Sequence, residues 1–442
     1  MSSPSLNQQK TIGILGGGQL ARMLVLSAHK WGLPHRVLTS SREDPAAQVT
    51  PQITIGDPTV LVDIKKFIST VDILTFESDF HDSNILEYLT SLAPSLSSAL
   101  VIRPAASLLT QLTQRHHCKQ LLVDAGFTVA PYAVIPQQIR DYHQWHTWRQ
   151  QSHPELGQKL FIKLVTGGYD GRGTHFINCE SDDHELGQTK KHHKSNRHTI
   201  SASQQCHEFL KTHASSEMIV EANIPFIREL AITVVRSACG EFYFFPLVET
   251  KQSHYQCDSV SGPVMTVDIT RSNDHGLSQD MGGQVTMYQV NSDQKESHLR
   301  ENFVILLQNV TRFLNSYQYV GAITFELFEQ SDGTLMVNEV SPRVHNSCHY
   351  SMDAMSSSQF DLHLKAILGW DLGVPKLKTK GFAMVNIIGH QKNSQILFRE
   401  TTGSYLHLYG KTHREHRKMG HINVLSSSRE KALKKALRVR GT

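Results

Sequence analysis

Residues 11–15 form a short apolar run, three glycines follow, and Leu20, Met23, Leu24, Ser27 and Ala28 then recur at the spacing of one helix face. Further apolar runs lie at 37–38 and at 71–76, the second ending at Glu77. Strand and helix in alternation predict a parallel sheet with ligands at the carboxyl ends of its strands. From residue 160 the pattern changes. Runs at 160–164, 175–179, 218–224, 229–236 and 242–248, separated by Gly-rich or polar turns, predict strands. Residues 358–368 have helical spacing, and 431–440 predict a basic, solvated helical tail. The stretch 181–215, rich in His, Lys and Ser, reads as a solvated loop. Residues 251–300 are polar and show no clear period.

Between Glu326 and Asn346, two alternating runs flank Asp332-Gly333, the strongest short-range hairpin signal. A two-residue turn pairs Ser331 with Thr334. Counting outward, it sets Glu326 opposite Glu339, with Cβ atoms roughly 4.5–5.5 Å apart. Facing carboxylates repel unless a proton or a cation lies between them. Mg²⁺ suits this role, because it takes one or two protein carboxylates and completes its shell with phosphate oxygens. The alternative is a solvated edge carrying two unrelated acids.

Three other segments carry chemistry. Gly16-Gly17-Gly18-Gln19-Leu20-Ala21 follows a strand and opens a helix, where free N–H groups favour a phosphate. The acid expected about 20 residues on in a dinucleotide fold is missing, since Thr39-Ser40-Ser41 stand there. A monophosphate cradle is the reading preferred over NAD or a purely structural turn. Lys163 ends a strand and is followed by Gly167, Gly168, Tyr169, Asp170, Gly171, Arg172 and Gly173. Glycines admit phosphate to backbone N–H groups, Lys163 offers a point charge, and Arg172 offers a fork. The alternative is an ordinary Gly-rich hairpin. Lys411, Arg414, Arg417 and Lys418 form a basic cluster, read either as a second phosphate site or as solvated charge.

Composition narrows the class. The length of 442 residues suggests roughly three domains. No apolar run reaches the ~20 residues that span a bilayer, and the polar N-terminus carries no export signal, so no membrane partner is expected. Six cysteines without CxxC spacing fit a reduced, cytoplasmic protein. A net charge of +4 fits small anionic substrates, and no nucleic-acid partner is expected.

Taken in order, GILGGGQLARM (13–23), EDPAAQV (43–49), TFE (75–77), Arg115 with Lys119, IKLVTGGYDGRG (162–173), VEANIPFIREL (220–230), VGAITFELF (320–328), VNEVSPRVHNSCHY (337–350), SQFDLHLKAILG (358–369) and LHLYGK…RKMGH (406–421) resemble the ATP-grasp superfamily. Within it they resemble the N5-carboxyaminoimidazole ribonucleotide synthetases, ATP-dependent carboxylases of purine biosynthesis. The resemblance implies a mixed α/β and α+β ATP-grasp fold with a Rossmann-like N-terminal sheet and a small C-terminal domain. The expected units are 1–115, 116–222 with the Gly-rich lid, 223–375 with the metal and catalytic residues, and 376–442.

The resemblance also implies roles. Arg115, Lys163, Gly168, Glu221, Glu229 and Asn338 bind ATP, and Glu326 and Glu339 hold Mg²⁺. Gly18, Gln19 and Lys411 meet the ribonucleotide phosphate. Tyr169, Asp170, Arg172, Arg343, His345, Asn346 and Lys418 surround bicarbonate and the reacting amine of 5-aminoimidazole ribonucleotide. A homodimer is implied. Other readings are an ATP-grasp ligase using formate or an amino acid, and a catalytically weak nucleotide binder. The chain departs from the pattern at Ala21, Asp79, Cys348, Glu415-His416 and across 255–300.

Overall fold

The computed structural model describes residues 10–79, 82–92, 100–166, 173–179, 202–253, 256–272, 285–292, 294–389 and 401–441. Its first sheet has five parallel strands, ordered Ile53–Ile55, His35–Thr39, Ile12–Leu15, Ile73–Phe76 and Val101–Ile102. The inner strands are apolar on both faces because helices cover both sides of a parallel sheet: Ile12, Ile14, Leu15, Ile73 and Leu74 are all buried. Strand order reverses between Ile12–Leu15 and Ile73–Phe76, which opens a crevice at their carboxyl ends. The helix Gln19–Lys30 starts at that crevice.

A second sheet is antiparallel, ordered Tyr132–Ile135, Met218–Ala222, Lys159–Leu164 and Thr174–Asn178. It packs on the helix Tyr142–Ser152, whose Trp145 is fully buried and whose N-terminus is capped by Asp141 through the Gln144 N–H. A third sheet of eleven strands runs from Thr128–Val129 through Leu335–Ser341, Gly321–Glu329, Arg228–Arg236, Leu247–Ser253 and Gln256–Ser272 into the C-terminal strands Gly381–Ile388, Lys418–Ser426 and Ser404–Leu408. The helix Arg300–Ser316 covers one face of its central strands through Phe303, Leu307, Val310 and Phe313. The helix Gln359–Leu368 packs against Gly321–Glu329 and Arg228–Arg236, and also against the first helix of the chain.

One carboxylate fixes that last contact. Asp361 closes a capping box with Ser358 at the start of its own helix. It also accepts from Ser27 Oγ at 2.6 Å, Trp31 Nε1 at 3.0 Å and Lys30 Nζ at 2.9 Å, all near the end of the helix Gln19–Lys30. The N-terminal sheet is thereby oriented on the long sheet.

The structure corrects the sequence reading in four places. The run 242–248 is not one strand: Phe242–Phe244 ends before Pro246, and Leu247–Ser253 starts anew. Part of 251–300 is regular, since Gln256–Ser272 is a 17-residue strand and Val285–Ser292 pairs with it. Within 181–215, residues Ala202–Thr212 form a helix that buries Cys206 and Leu210; residues 181–201 lie outside those described. The hairpin turn is also longer than expected. Gln330 N–H donates to Thr334 O, and Gly333 takes φ +82°.

Candidate active site

The hairpin register explains how two acids come to face each other. Glu329 pairs with Leu335, Phe328 with Met336 and Leu327 with Val337. This frame is one residue out from the two-residue turn and would place Glu326 opposite Asn338. A β-bulge at Asn338 restores the count, so Glu326 pairs with Glu339. Burial, then Glu339, then Glu229 push the Glu326 carboxyl up, to about 8. Glu229 lies on the neighbouring strand Arg228–Arg236, and its own carboxyl is raised by burial to about 7. Among the described residues no cluster of three His, Cys, Asp or Glu side chains could hold a metal ion. The two facing carboxylates, one of them pushed up by burial and by the other, fit a hard cation that takes its remaining oxygens from elsewhere.

His345 and Arg343 stand beside this pair. His345 Nε2 lies 3.6 Å from Glu326 Oε1. Its Nδ1 lies 2.9 Å from Ser347 Oγ and accepts from the Ser347 N–H at 3.3 Å, which favours the neutral tautomer with its proton on Nε2, toward Glu326. Burial, with Arg343 and Lys418 nearby, drives the imidazole well below its ordinary pKa, which keeps it neutral. Gln359 holds the backbone here, accepting from His345 N–H and donating to His345 O. Arg343 Nε donates to Asp79 Oδ1 at 3.0 Å, so the N-terminal unit reaches into the site. Burial opposes the Arg343 charge, but Asp79 and Glu339 outweigh it and raise the pKa. Asn346, assigned by the resemblance to the surroundings of bicarbonate, is itself held by a neighbouring amide. It exchanges hydrogen bonds with Asn386, at 3.0 and 2.7 Å, in a buried pair.

A cleft between the second and third sheets is lined by Arg115, Lys119, Val165, Glu221, Asn338 and Glu339. Lys163 Nζ donates to Glu221 Oε2 at 2.6 Å, and Lys119 Nζ lies 3.4 Å from Glu221 Oε1. Burial opposes the carboxylate, yet Lys163 and Lys119 together hold Glu221 down at about 2. Two lysines and Arg115 are thus gathered around Glu221, in a cleft whose wall also carries Asp79 and Glu339. Glu221 and Glu229 therefore do not act as a pair: one neutralises lysines, the other faces Glu326. Sequence reasoning left Lys119 out of the binding set. Its signal was the four-residue spacing from Arg115, which puts both on one face of the helix Arg115–Asp124.

At the crevice of the first sheet a side chain from the neighbouring strand takes part of the helix N-terminus. The Gly18 and Ala21 N–H groups donate to the two oxygens of Glu77, at 2.9 and 3.0 Å. A methyl on Gly18 would come within 2.5 Å of Glu77 Oε1, so the glycine is needed for this approach. The expected phosphate cradle thus already holds a carboxylate. Lys411 and Arg343 are the cations near Glu77. The loop carrying Lys411 is tied to the first unit by Gln48, whose Nε2 donates to Gly410 O at 2.7 Å. Lys418 opens the strand Lys418–Ser426 and lies near Glu326 and His345. Cys348 is buried and its thiol is pushed up to about 12 by burial, so it is inert packing. Gly168, Tyr169, Asp170 and Arg172 lie outside the described residues.

Residues 9–106 match the ribonucleotide synthetase preATP-grasp domain. Residues 120–287 and 282–360 match the ATP-grasp domain. Residues 383–435 match the phosphoribosylaminoimidazole carboxylase C-terminal domain. The chain belongs to the ATP-grasp family. An N5-carboxyaminoimidazole ribonucleotide synthase of Mycobacterium bovis is 28% identical over 427 residues, 94% of this chain and 83% of that one. A phosphoribosylaminoimidazole carboxylase of Saccharomyces cerevisiae is 29% identical and aligns with 95% of this chain, but over only 64% of its own length. A solved N5-carboxyaminoimidazole ribonucleotide synthetase in complex with ADP shares 28% identity and a TM-score of 0.73, covering 98% of this chain and 96% of that one. The likeness is thus to the N5-carboxyaminoimidazole ribonucleotide synthases, carbon–nitrogen ligases of the ATP-grasp family, over nearly the whole chain. No helix among the described residues is long and apolar enough to cross a membrane.

Proposed function

We propose that this ligase carboxylates 5-aminoimidazole ribonucleotide with ATP and bicarbonate, giving N5-carboxyaminoimidazole ribonucleotide, ADP and phosphate. The observation that carries this reading is the meeting of three units at one place. The cleft where Lys119 and Lys163 meet Glu221 adjoins the facing Glu326 and Glu339, and Arg343 links that pair to Asp79 of the N-terminal unit.

Arg115, Lys119 and Lys163 neutralise the nucleotide phosphates, while Asn338 and Glu339 line the same cleft. Glu326 and Glu339 would hold Mg²⁺, which would supply charge neutralisation for phosphoryl transfer. A bicarbonate oxygen attacks the γ-phosphorus and ADP leaves, giving carboxyphosphate. The amine of the ribonucleotide then attacks the carboxyl carbon, phosphate leaves, and the amine loses a proton. Arg343, fixed by Asp79, stabilises the oxyanions of bicarbonate and carboxyphosphate. Neutral His345 donates from Nε2 beside Glu326. Lys411 and Lys418, with the crevice at Gly18 and Gln19, receive the ribonucleotide, and the Glu77 carboxylate at the helix N-terminus accepts from its sugar hydroxyls. The resemblance assigns Gly168 to ATP and Tyr169, Asp170 and Arg172 to bicarbonate and the reacting amine.

The four units 1–115, 116–222, 223–375 and 376–442 serve these tasks in turn. Five buried thiols fit a reducing cytoplasm, and a homodimer follows from the resemblance.

The test is ADP release by purified protein with Mg-ATP and bicarbonate, with and without 5-aminoimidazole ribonucleotide. Strong stimulation by the ribonucleotide is expected. Stimulation only when formate or an amino acid replaces bicarbonate would overturn the reading.

A further inference from the structure

A second cavity lies at the far end of the central strands, where the first sheet meets the long one. Its walls are Arg103, Ala105, Arg236, Ala238, Gln318 and Val320. Its volume, about 370 Å³, falls in the range of small-ligand pockets. Arg236 pairs with Gly321, five residues along the strand from Glu326. At about 3.4 Å per residue the cavity is roughly 17 Å from the facing carboxylates, so it is not part of the active site.

The charge in this cavity is one-sided. Arg103 donates from Nη1 to Ile367 O, and Arg236 donates to Asn315 Oδ1 at 3.0 Å and Tyr319 O at 2.9 Å. Arg236 also lies over the Phe242 ring at 5.7 Å. These partners are all neutral. No salt bridge links either guanidinium to a carboxylate among the described residues, and no acid lines the cavity. Both groups are half-buried, and burial lowers both pKa values. The remaining donors of each fork have no anion to meet.

Two features of the backbone add to this. Ala105 is the N-cap of the helix Ala106–Thr113 and has no capping side chain, and the first turn holds no acid. Gln318 takes φ +46°, just past the helix Arg300–Ser316. Glycine is the usual residue in that left-handed position, and strain kept with a polar side chain is a mark of functional sites. Here it puts an amide-bearing residue on the cavity wall.

We propose that this cavity is a second ligand site, for a phosphate group carried by a small molecule. Two guanidinium forks and uncapped N–H groups at a helix start match a dianion with three or more acceptor oxygens better than they match a carboxylate. Ile102, Val320 and Ala238 offer an apolar edge to the rest of the ligand. A ligand here joins the N-terminal unit, through Arg103, to the ATP-grasp sheet, through Arg236.

The test is calorimetric titration of the full chain, in the presence of Mg-ADP, with inorganic phosphate and separately with ribose 5-phosphate, at constant ionic strength. One saturable event is expected that survives Lys418→Ala, a change confined to the active site. It weakens at least about tenfold in Arg236→Gln, which removes one fork. It weakens similarly in Ala105→Asp, which caps the helix and places a carboxylate beside the arginines without disturbing buried packing. Tighter binding of ribose 5-phosphate identifies an organic phosphate as the ligand, and equal binding identifies free phosphate. Binding that vanishes with Lys418→Ala, is untouched by both cavity variants, or never saturates overturns the proposal.

Discussion

Glu326 and Glu339 oppose each other because Asn338 is an extra residue in its strand. Remove the bulge and Glu326 would face Asn338, with Glu339 on the other face of the sheet. Glu339→Gln tests the pair with least disturbance, since shape and register are kept. Mg²⁺-dependent turnover is expected to fall at least about a hundredfold with an unchanged unfolding midpoint. Undiminished turnover would remove Glu339 from the metal set.

The raised carboxyls give a pH signature. In the metal-free protein Glu326 keeps its proton up to about 8 and Glu229 up to about 7, against an ordinary 4.5. These two carboxyls bind more protons in the folded state than in the unfolded chain between 4.5 and about 8. Their contribution to stability is therefore full below 4.5 and is lost as pH rises through that window, while His345, His349 and His421, held neutral by burial, act in the opposite sense below 6.5. Mg²⁺ must displace the Glu326 proton, so its affinity should rise with pH, by up to about tenfold per unit below 8. Calorimetry at pH 7 in two buffers of different ionisation enthalpy should detect proton release. Equal heats in both buffers would show that no proton leaves.

Asp79→Ala leaves the Arg343 fork without its carboxylate in a partly closed site. Breaking such a pair costs up to about 3–5 kcal/mol when fully buried, and less here. Turnover should drop more than the KM for either substrate rises, and Asp79→Glu should recover much of it. A loss seen only in the unfolding midpoint would make Asp79 purely structural.

Lys418→Ala removes a cation close to Glu326 and His345. The KM for the ribonucleotide should rise about tenfold or more, with that for ATP within about twofold. Parallel losses for both ligands would count against a substrate-side role.

His416 is exposed and held at φ +59°, in the loop where the family resemblance led us to expect Pro-Gly. His416→Gly should stabilise the protein by about 0.5–1 kcal/mol in denaturant titrations. No change would mean that the loop relaxes at little cost.

Much of this was legible in the sequence, for reasons that can be named. The parallel sheet showed in its apolar runs because both faces are covered. The carboxylate pair was placed correctly by two compensating errors, a turn one residue too short and an unseen bulge. The strand Gln256–Ser272 was illegible because Gly262-Pro263 interrupts it, and proline argues against a central strand. The structure accommodates Pro263 where the pairing with Leu247–Ser253 slips register. The Glu77 cap on the first helix lies 59 residues from Gly18, beyond any local pattern. The pairing of Asn346 with Asn386, 40 residues away, was likewise beyond any local pattern. Lys119 was within reach and was missed because a lysine beside an arginine on a helix resembles ordinary surface charge.

The pairing of Ser259–Gly262 with Phe382–Val385 bears on how the protein can be dissected. A chain cut between residues 369 and 380 would keep every ATP-grasp element but bare the backbone of Gln256–Ser272 along that edge. Exposed edges recruit other strands. The segment from residue 381 onward is thus also a seal against self-association, and a truncated fragment that precipitates would say nothing about catalysis.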